Sequence, residues 1–215
     1  MKNKLKVNSK QLTVNSRKYR AVIFDLGDVY YQNGFKKALA NLVLKHRLPQ
    51  NFLNSIFNKS YVKKIEVGKI KEKEFWEEFK EDSGLDMETQ NLQRQVFAHF
   101  KPQAGMKNLV EVCRKKVKVG LLTNNIKEWF KAQEKKEKFK DKFDAVVVSA
   151  LVGLRKPGKK IYLLIAKKLK VNSKECVFFD DRLDNVEGAE KAGMEAFKFK
   201  SAEDCRKKLN HLGII

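Results

Sequence analysis

Four short polar islands in the chain carry residue types suited to nucleophilic catalysis and cation binding. In chain order they are Asp25, Thr123, Lys156 and the adjacent pair Asp180 and Asp181. A carboxylate such as Asp25 can attack an electrophilic centre and form a covalent intermediate. Adjacent carboxylates repel and raise each other's pKa unless a cation lies between them and their neighbours. The islands therefore predict a site that combines a nucleophilic carboxylate with a divalent cation.

Magnesium is the cation that this oxygen-rich set favours. It is usually held by one or two protein carboxylates, together with water and a substrate phosphate. Asp25 and Asp181 meet that requirement, and Asp180 could hold a metal-bound water. We interpret Asp184 differently, as an N-cap of the helix that follows.

Two further islands suit an anionic group. The hydroxyl of Thr123, with Asn124 and the free N–H groups of the following helix start, could hold a phosphate. The ammonium group of Lys156 would neutralise Asp25 and a transferring phosphoryl group. Each signal is modest alone, so the prediction rests on all the islands occurring together in this order.

The elements that must position these residues form an alternating pattern. Short apolar runs typical of buried strands occur at YRAVIFD, VKVGLLT, DAVVVS, ECVFFD and EAFKF. Helices are predicted between and after them, at 103–116, 126–137, 157–169, 184–193 and 201–211. Such alternation predicts a parallel sheet covered by helices on both faces. Ligands of these sheets bind beyond the carboxyl ends of the strands, where the islands lie.

The segment 34–101 has a different character, with helical stretches and no convincing strand. Phe75, Trp76 and Phe79 recur at helical spacing, and we interpret these aromatic residues as packing. We therefore predict a basic tail at 1–18, a core formed by 19–33 and 102–215, and a compact helical insertion at 34–101.

Composition limits the class of protein. The 215 residues include 42% hydrophobic ones, as in an ordinary globular protein, and no apolar stretch approaches the length of a membrane span. The basic N-terminus lacks the apolar centre of a signal peptide, so we expect a cytoplasmic protein. Cys113, Cys176 and Cys205 are isolated, which argues against a disulfide framework or a zinc site.

The net charge of +21 is the unusual feature of the composition. Two interpretations stay open: a lysine-rich solvated surface, or binding of nucleic acid or another anionic surface. The basic residues are mostly mixed with acidic ones, and no known nucleic-acid motif accompanies them.

The four islands together resemble the motifs of the haloacid dehalogenase-like (HAD) hydrolase superfamily. The matching segments are VIFDLGDV, GLLTNN, GLRKPGKKIY and VFFDDRLDNVEGA. EVGKIKEKEFW, at 66–76, is similar to the cap segment of the branch that holds sugar-phosphate phosphatases and the epoxide hydrolase phosphatase domain. The resemblance implies an α/β fold, with a Rossmann-like core of five parallel strands and a small helical cap inserted after the first strand.

The resemblance also implies roles for individual residues. Asp25 would be the nucleophile and form an aspartyl-phosphate, Thr123 would bind the phosphoryl group, and Lys156 would steady the charges. Mg²⁺ would be held by Asp25, Asp181 and the backbone oxygen of Gly27, with Asp180 in support. The implied function is hydrolysis of a small phosphorylated metabolite, a sugar phosphate being one candidate.

One departure from the family pattern affects the expected activity. Phosphatases of the family usually carry a second Asp two residues after the nucleophile, but this chain has Gly27 there and Asp28 one position later. General acid–base help is worth about 10²- to 10⁴-fold in rate. Two alternatives therefore stay open beside the phosphatase: a catalytically weak protein that binds nucleic acid or a protein partner, and a C–halogen hydrolase that uses the same Asp25.

Overall fold

A computed structural model describes residues 18–32, 34–49 and 51–215. The predicted basic tail lies outside the described residues, except for Lys18. A five-stranded parallel sheet forms the centre of the fold, with the spatial order β3-β2-β1-β4-β5. Its strands are β1 (Ala21–Phe24), β2 (Lys118–Thr123), β3 (Ala145–Val148), β4 (Cys176–Asp180) and β5 (Glu195–Lys198). The predicted Rossmann-like fold class is confirmed.

The sheet is buried on both faces because its strands are almost continuously apolar. In β1, Val22 and Phe24 face one core cluster, and Ala21 and Ile23 face the other. The first face is covered by α6 (Met106–Arg114), α7 (Lys127–Glu137), α8 (Phe139–Lys142) and α12 (Ala202–His211). The second face is covered by α10 (Lys159–Leu169) and α11 (Leu183–Lys191), with the short α9 (Ser149–Val152) following β3.

Five helices lie between β1 and α6 in the part of this segment that the structure describes. They are α1 (Gly34–His46), α2 (Phe52–Ser55), α3 (Ser60–Glu66), α4 (Glu72–Ser83) and α5 (Thr89–Ala98), with a 3-10 turn at Ile56–Asn58. Phe75, Trp76 and Phe79 pack in the middle of these helices and are at most 1% exposed. The helices therefore form a third apolar cluster, separate from the two that cover the sheet.

Two glycines permit close backbone contacts near the carboxyl edge of the sheet. A Cβ at Gly188, in α11, would lie 2.6 Å from the backbone oxygen of Pro157. Gly68 has a φ of +71°, and a Cβ there would lie 2.5 Å from the backbone oxygen of Ala150. These contacts bring α11 against the loop that carries Lys156, and the inserted helices against α9.

Helix ends differ from the sequence prediction by up to three residues. The helix predicted at 103–116 is observed at Met106–Arg114, because Gly105 has a φ of +77° and precedes its first turn.

Cys113, Cys176 and Cys205 are buried free thiols. No helix in the ranges that the structure describes is long and apolar enough to cross a membrane.

Candidate active site

The strand order brings the polar islands to one edge of the sheet. Because β1 pairs with both β2 and β4, the residues at the carboxyl ends of these three strands are neighbours. Asp25 directly follows β1, Thr123 ends β2 and Asp180 ends β4. The backbone N–H of Asp25 donates to the carbonyl of Phe179 at 3.0 Å, which fixes the nucleophile candidate against β4.

Lys156 lies at the centre of this group. Its Nζ is 2.6 Å from Oδ1 of Asp25 and 2.5 Å from Oδ2 of Asp180, and it also donates to the carbonyl of Leu122 at 3.2 Å. The side chain is only 1% exposed. Burial alone would lower the pKa of Lys156, but the two carboxylates raise it above its usual value, so the ammonium stays charged.

Asp180 is fully committed to contacts within the protein. Besides Lys156, it accepts hydrogen bonds at Oδ1 from the backbone of Arg182 at 3.0 Å and from Nδ2 of Asn185 at 2.9 Å. Its exposure is 0%. These contacts suit a residue that orients Lys156, while the half-buried Asp181 beside it faces the cavity.

The cluster of three carboxylates in the site fits a hard divalent cation. One oxygen from each of Asp25, Asp180 and Asp181 can be chosen so that all lie within 4.8 Å of one another. Burial raises the pKa of Asp25, and the charges of the two neighbouring carboxylates raise it further against the opposing effect of Lys156. Burial and the charge of Asp180 raise the pKa of Asp181 to about 6. A cation with oxygen ligands would relieve this repulsion.

Thr123 and Asn124 occupy different positions in the site. Thr123 is 3% exposed and lines the cavity above the sheet edge. The Asn124 side chain accepts from the backbone N–H of Lys156 at 2.9 Å and donates to its carbonyl at 3.1 Å. Asn124 therefore holds the backbone of Lys156 in place, and its predicted role in substrate binding stays a prediction.

Gly27 and Asp28 differ in where they lie. Gly27 lines the cavity, so its backbone is close to the carboxylates. Asp28 has a φ of 56° and forms an ion pair with Lys36 of α1 at 3.7 Å. Its charge is near enough to contribute to the raised pKa of Asp181.

The predicted N-cap role of Asp184 is wrong. The helix α11 begins at Leu183, and Arg182 occupies the cap position without a side-chain cap hydrogen bond. Asp184 lies in the first turn, where it pairs with Arg182 at 2.8 Å and accepts from the backbone N–H of Asn185 at 3.0 Å. A carboxylate in the first turn still complements the helix dipole, so its type was compatible with either position.

A cavity of about 360 Å³ opens between the sheet edge and the inserted helices. Asp25, Gly27, Thr123, Lys156 and Asp181 line its polar end. Its other walls are formed mainly by apolar residues of the inserted helices, together with residues of α7. The site is therefore a covered pocket with reactive groups at one end, as expected for a small-molecule enzyme.

Comparison with known proteins identifies the family. A family model described as "haloacid dehalogenase-like hydrolase" matches residues 19–193. This chain belongs to the haloacid dehalogenase-like hydrolase family. It is an enzyme of the hydrolase class, in agreement with the motifs.

Relatives and solved structures support the assignment of this HAD-like hydrolase. Sesquiterpene phosphatase astK of Aspergillus oryzae is 29% identical over 178 residues, which cover 82% of this chain and 87% of the relative. Flavin mononucleotide hydrolase 1 of Arabidopsis thaliana is 30% identical over 70% of this chain, a match that spans only 61% of the relative. A HAD-like family hydrolase from Porphyromonas gingivalis has a TM-score of 0.72 at 20% identity, with 91% and 98% of the two chains covered. A HAD family enzyme from Bacteroides thetaiotaomicron, in complex with magnesium and inorganic phosphate, has a TM-score of 0.68 at 20% identity, with 85% and 95% covered.

Sequence reasoning missed several residues that complete the site of this HAD-like hydrolase. Asn185 holds Asp180, and it lies inside the segment VFFDDRLDNVEGA, so the motif itself carried the signal. Glu66, in the inserted helices, bonds to Arg155 beside Lys156, with N–O distances of 2.6 and 2.8 Å. Trp129 and Gln133 of α7 line the cavity, and only their helical spacing placed them on one face.

Proposed function

We propose that this HAD-like hydrolase is a Mg²⁺-dependent phosphomonoesterase that hydrolyses a small phosphorylated metabolite through an aspartyl-phosphate intermediate. One observation carries the proposal: at one end of the cavity, Asp25 lies 2.6 Å from the ammonium of Lys156, and one of its oxygens lies within 4.8 Å of an oxygen of Asp181. A nucleophile, a fixed positive charge and a cation-binding carboxylate are the groups that phosphoryl transfer requires.

The protein residues would act in sequence. The hydroxyl of Thr123 and the backbone of Asn124, whose side chain holds Lys156, bind the oxygens of the phosphoryl group and hold phosphorus in line with Asp25. An oxygen of Asp25 attacks phosphorus as the bond to the leaving oxygen breaks. The leaving oxygen takes a proton from water or from the substrate's own phosphate and departs as the alcohol. Water then attacks the phosphorus of the aspartyl-phosphate, which releases inorganic phosphate and restores the Asp25 carboxylate. Lys156 stabilises the negative charge of the phosphoryl oxygens in both steps.

The residues proposed to hold Mg²⁺ are Asp25, Asp181 and the backbone oxygen of Gly27, with Asp180 in support. When bound, Mg²⁺ supplies positive charge that offsets repulsion between the carboxylates and the phosphate. Because both oxygens of Asp180 are engaged by protein groups, its support would consist of orienting Lys156 and a water.

The domain organisation proposed with this function assigns the chemistry to the core, 19–33 and 102–215, and the cover of the site to the cap, 34–101. Burial of the reacting groups under the cap would keep bulk water away from the reaction. We also propose that the protein is cytoplasmic. The names of two relatives, sesquiterpene phosphatase and flavin mononucleotide hydrolase, support phosphate ester hydrolysis but differ in the organic group.

The test is a panel of phosphate esters assayed with Mg²⁺ and with a chelator, using wild type and Asp25→Asn. We expect chelator to abolish turnover, and Asp25→Asn to lower kcat on the order of 10³-fold or more because the nucleophile is lost. Asp86→Asn is the matched control, since this carboxylate is exposed and lies in the cap. Activity that survives the chelator would contradict the proposal, and hydrolysis of a 2-haloacid under those conditions would favour the C–halogen hydrolase.

A second candidate function is supported by the net charge of +21 and a pI near 9.8. A HAD-fold protein with Gly27 in place of the acid could use its basic surface to bind nucleic acid. Binding to phosphate backbones weakens steeply with salt. A fluorescence anisotropy titration with RNA and DNA at two salt concentrations tests this candidate, and the absence of binding at low salt would rule it out.

A further inference from the structure

The part of the cavity wall formed by the inserted helices and α7 is mainly apolar, with Lys36, Asn58, Glu66 and Gln133 as its polar members. Six of its members are large apolar side chains from the cap and from α7: Phe35, Phe57, Val62, Ile65, Phe75 and Trp129. The aromatic rings contact one another, with centroids of Phe35 and Trp129 at 5.3 Å and of Phe35 and Phe57 at 5.9 Å. An organic group in this part of the cavity would lose water and contact carbon.

The cations around the cavity are already paired with carboxylates. Arg155 pairs with Glu66 at 2.6 Å, and Lys36 pairs with Asp28 at 3.7 Å. Arg182 pairs with Asp184 at 2.8 Å, and Lys156 is shared by the catalytic carboxylates. A second phosphate or a carboxylate on the substrate would have to compete with these pairs.

The amide side chains of the cavity are also largely engaged. Both polar atoms of Asn124 bond to the backbone of Lys156. In Asn125, Oδ1 accepts from the N–H of Ile126 at 2.8 Å and Nδ2 donates to Oε1 of Gln133 at 2.9 Å. Both polar side-chain atoms of Asn124 and of Asn125 are therefore engaged within the protein, whereas a sugar needs several free groups of this kind for its hydroxyls.

From this wall we infer that the organic group of the substrate is predominantly hydrocarbon, so the substrate class is a phosphate monoester of an apolar alcohol. The inference rests on the proposed phosphatase function for the phosphate end, and on the cavity wall for the organic end. It separates the substrate from sugar phosphates, which the resemblance of the cap segment had made a candidate.

One polar contact is available to that organic group. The Nε2 atom of Gln133, which lines the cavity, is a buried side-chain polar atom without a hydrogen-bond partner among the described residues. The N–H of Ile126 fixes the orientation of Asn125, which in turn makes Oε1 of Gln133 an acceptor and leaves Nε2 as a free donor. Gln133 is 5% exposed, so a hydrogen-bond acceptor on the substrate is the partner it lacks.

The test measures binding with n-alkylphosphonates, whose C–P bond a phosphatase cannot cleave. The full chain is titrated in the presence of Mg²⁺ with methyl- to hexylphosphonate, and binding is followed by calorimetry and by tryptophan fluorescence, to which Trp129 in the cavity wall contributes. We expect Kd to fall about fourfold for each added methylene until the cavity is filled. A Kd that does not depend on chain length, or tighter binding of a sugar phosphonate, would overturn the inference.

Matched variants locate the effect in the cavity. Phe57 is half-buried and lines the cavity, whereas Phe97 is half-buried in the same cap cluster but contributes nothing to the lining. We expect Phe57→Gln to weaken hexylphosphonate about tenfold and methylphosphonate hardly at all, and Phe97→Gln to leave the ratio of the two unchanged. Equal losses in both variants would show that cap stability, rather than the wall, sets the preference.

The role of Gln133 has its own test. Hexylphosphonates with a ketone at successive carbons are compared with the plain chain in wild type and in Gln133→Met. For the ketone that reaches Nε2, we expect the variant to shift the Kd ratio about tenfold towards the plain chain. If the variant changes ketones and plain chain equally, Gln133 has no part in selection.

Failure of the inference and failure of the proposed function are distinguishable. Binding that grows with chain length, without hydrolysis of any phosphate ester, would refute the phosphatase but keep the ligand class. Hydrolysis of phosphate esters without chain-length dependence in binding would do the reverse.

Discussion

Both tryptophans of the chain donate to the same carboxylate oxygen. Oε1 of Glu72 accepts from Nε1 of Trp76 at 3.1 Å, from Nε1 of Trp129 at 2.8 Å and from Nε2 of Gln93 at 2.8 Å. Trp129 belongs to α7 of the core, whereas the other residues belong to the inserted helices. Glu72 therefore connects the cap to the core through a single oxygen, and we predict that Glu72→Ala destabilises the protein.

The magnitude follows from burial. Trp76 is 1% exposed and Trp129 is 5% exposed, so the substitution leaves both indole N–H groups without a partner in places that water hardly reaches. An unsatisfied buried donor costs about 1–3 kcal/mol, and the acceptor here is charged, which strengthens each bond. We expect a loss of about 3–5 kcal/mol in the free energy of unfolding, or a fall in Tm of about 10 °C for a chain of this size.

Urea unfolding followed by intrinsic fluorescence measures this directly, because the reporters are the two donors themselves. Glu77→Ala is the matched control, since it makes the same change on the same helix, α4. The Glu77 side chain is 56% exposed, and its ion pair with Lys73, at 3.7 Å, is a weak surface contact. The control should cost less than about 0.5 kcal/mol. Glu72→Gln should fall between wild type and Glu72→Ala because it keeps an acceptor. A loss for Glu72→Ala within about 1 kcal/mol of the control would refute the reasoning.

Three further predictions concern charged groups. Lys156→Met should lower the free energy of unfolding in chelator by about 3–5 kcal/mol, because it leaves Asp180 buried without a cation; adding Asp180→Asn should restore part of the loss in the same urea assay. A double-mutant cycle of Arg155→Met and Glu66→Gln should give a coupling of about 1–2 kcal/mol, and a value near zero would mean that the pair does not join cap to core. Burial would raise the pKa of Glu137, but hydrogen bonds from its neighbours hold it below the ordinary 4.5. The stabilisation that Glu137 contributes is therefore present above pH 4.5, the ordinary pKa of the unfolded chain. It is lost as pH falls through the lower pKa of the folded state. Urea midpoints of wild type and Glu137→Gln should differ at neutral pH and converge in acid; a constant difference would contradict this sign.

The fold and the reactive end of the site were predictable because their determinants are local. A run such as AVIF or CVFFD is apolar throughout, and this alone marks a strand buried on both faces. In a parallel sheet all the carboxyl ends lie at one edge, so the positions of Asp25, Thr123 and Asp180 along the chain imply that they are close in space.

The packing of the inserted helices over the site was not predictable in the same way. Glu72 and Trp129 are 57 positions apart, and Glu66 and Arg155 are 89 positions apart. No local pattern in the sequence pairs these residues, and their contacts form only when the inserted helices pack against the rest of the chain. The free donor of Gln133 arises from a chain of amide orientations that begins at the N–H of Ile126, which no pattern of residue types encodes.

The loop after β1 bears both on the proposed chemistry, through Gly27, and on the packing of the inserted helices, through Asp28. Gly27 contributes only backbone to the cavity, so this position supplies no acidic side chain. Asp28 has its own partner in Lys36 of α1, so it fastens the loop after β1 to the cap. Without an acid from the protein at Gly27, the leaving oxygen would take its proton from water or from the substrate itself. The rate of the first step would then depend strongly on the acidity of the alcohol. Under the proposed phosphatase function, the substrate would thus be restricted twice, by the apolar wall around its organic group and by the absence of an acidic side chain at position 27.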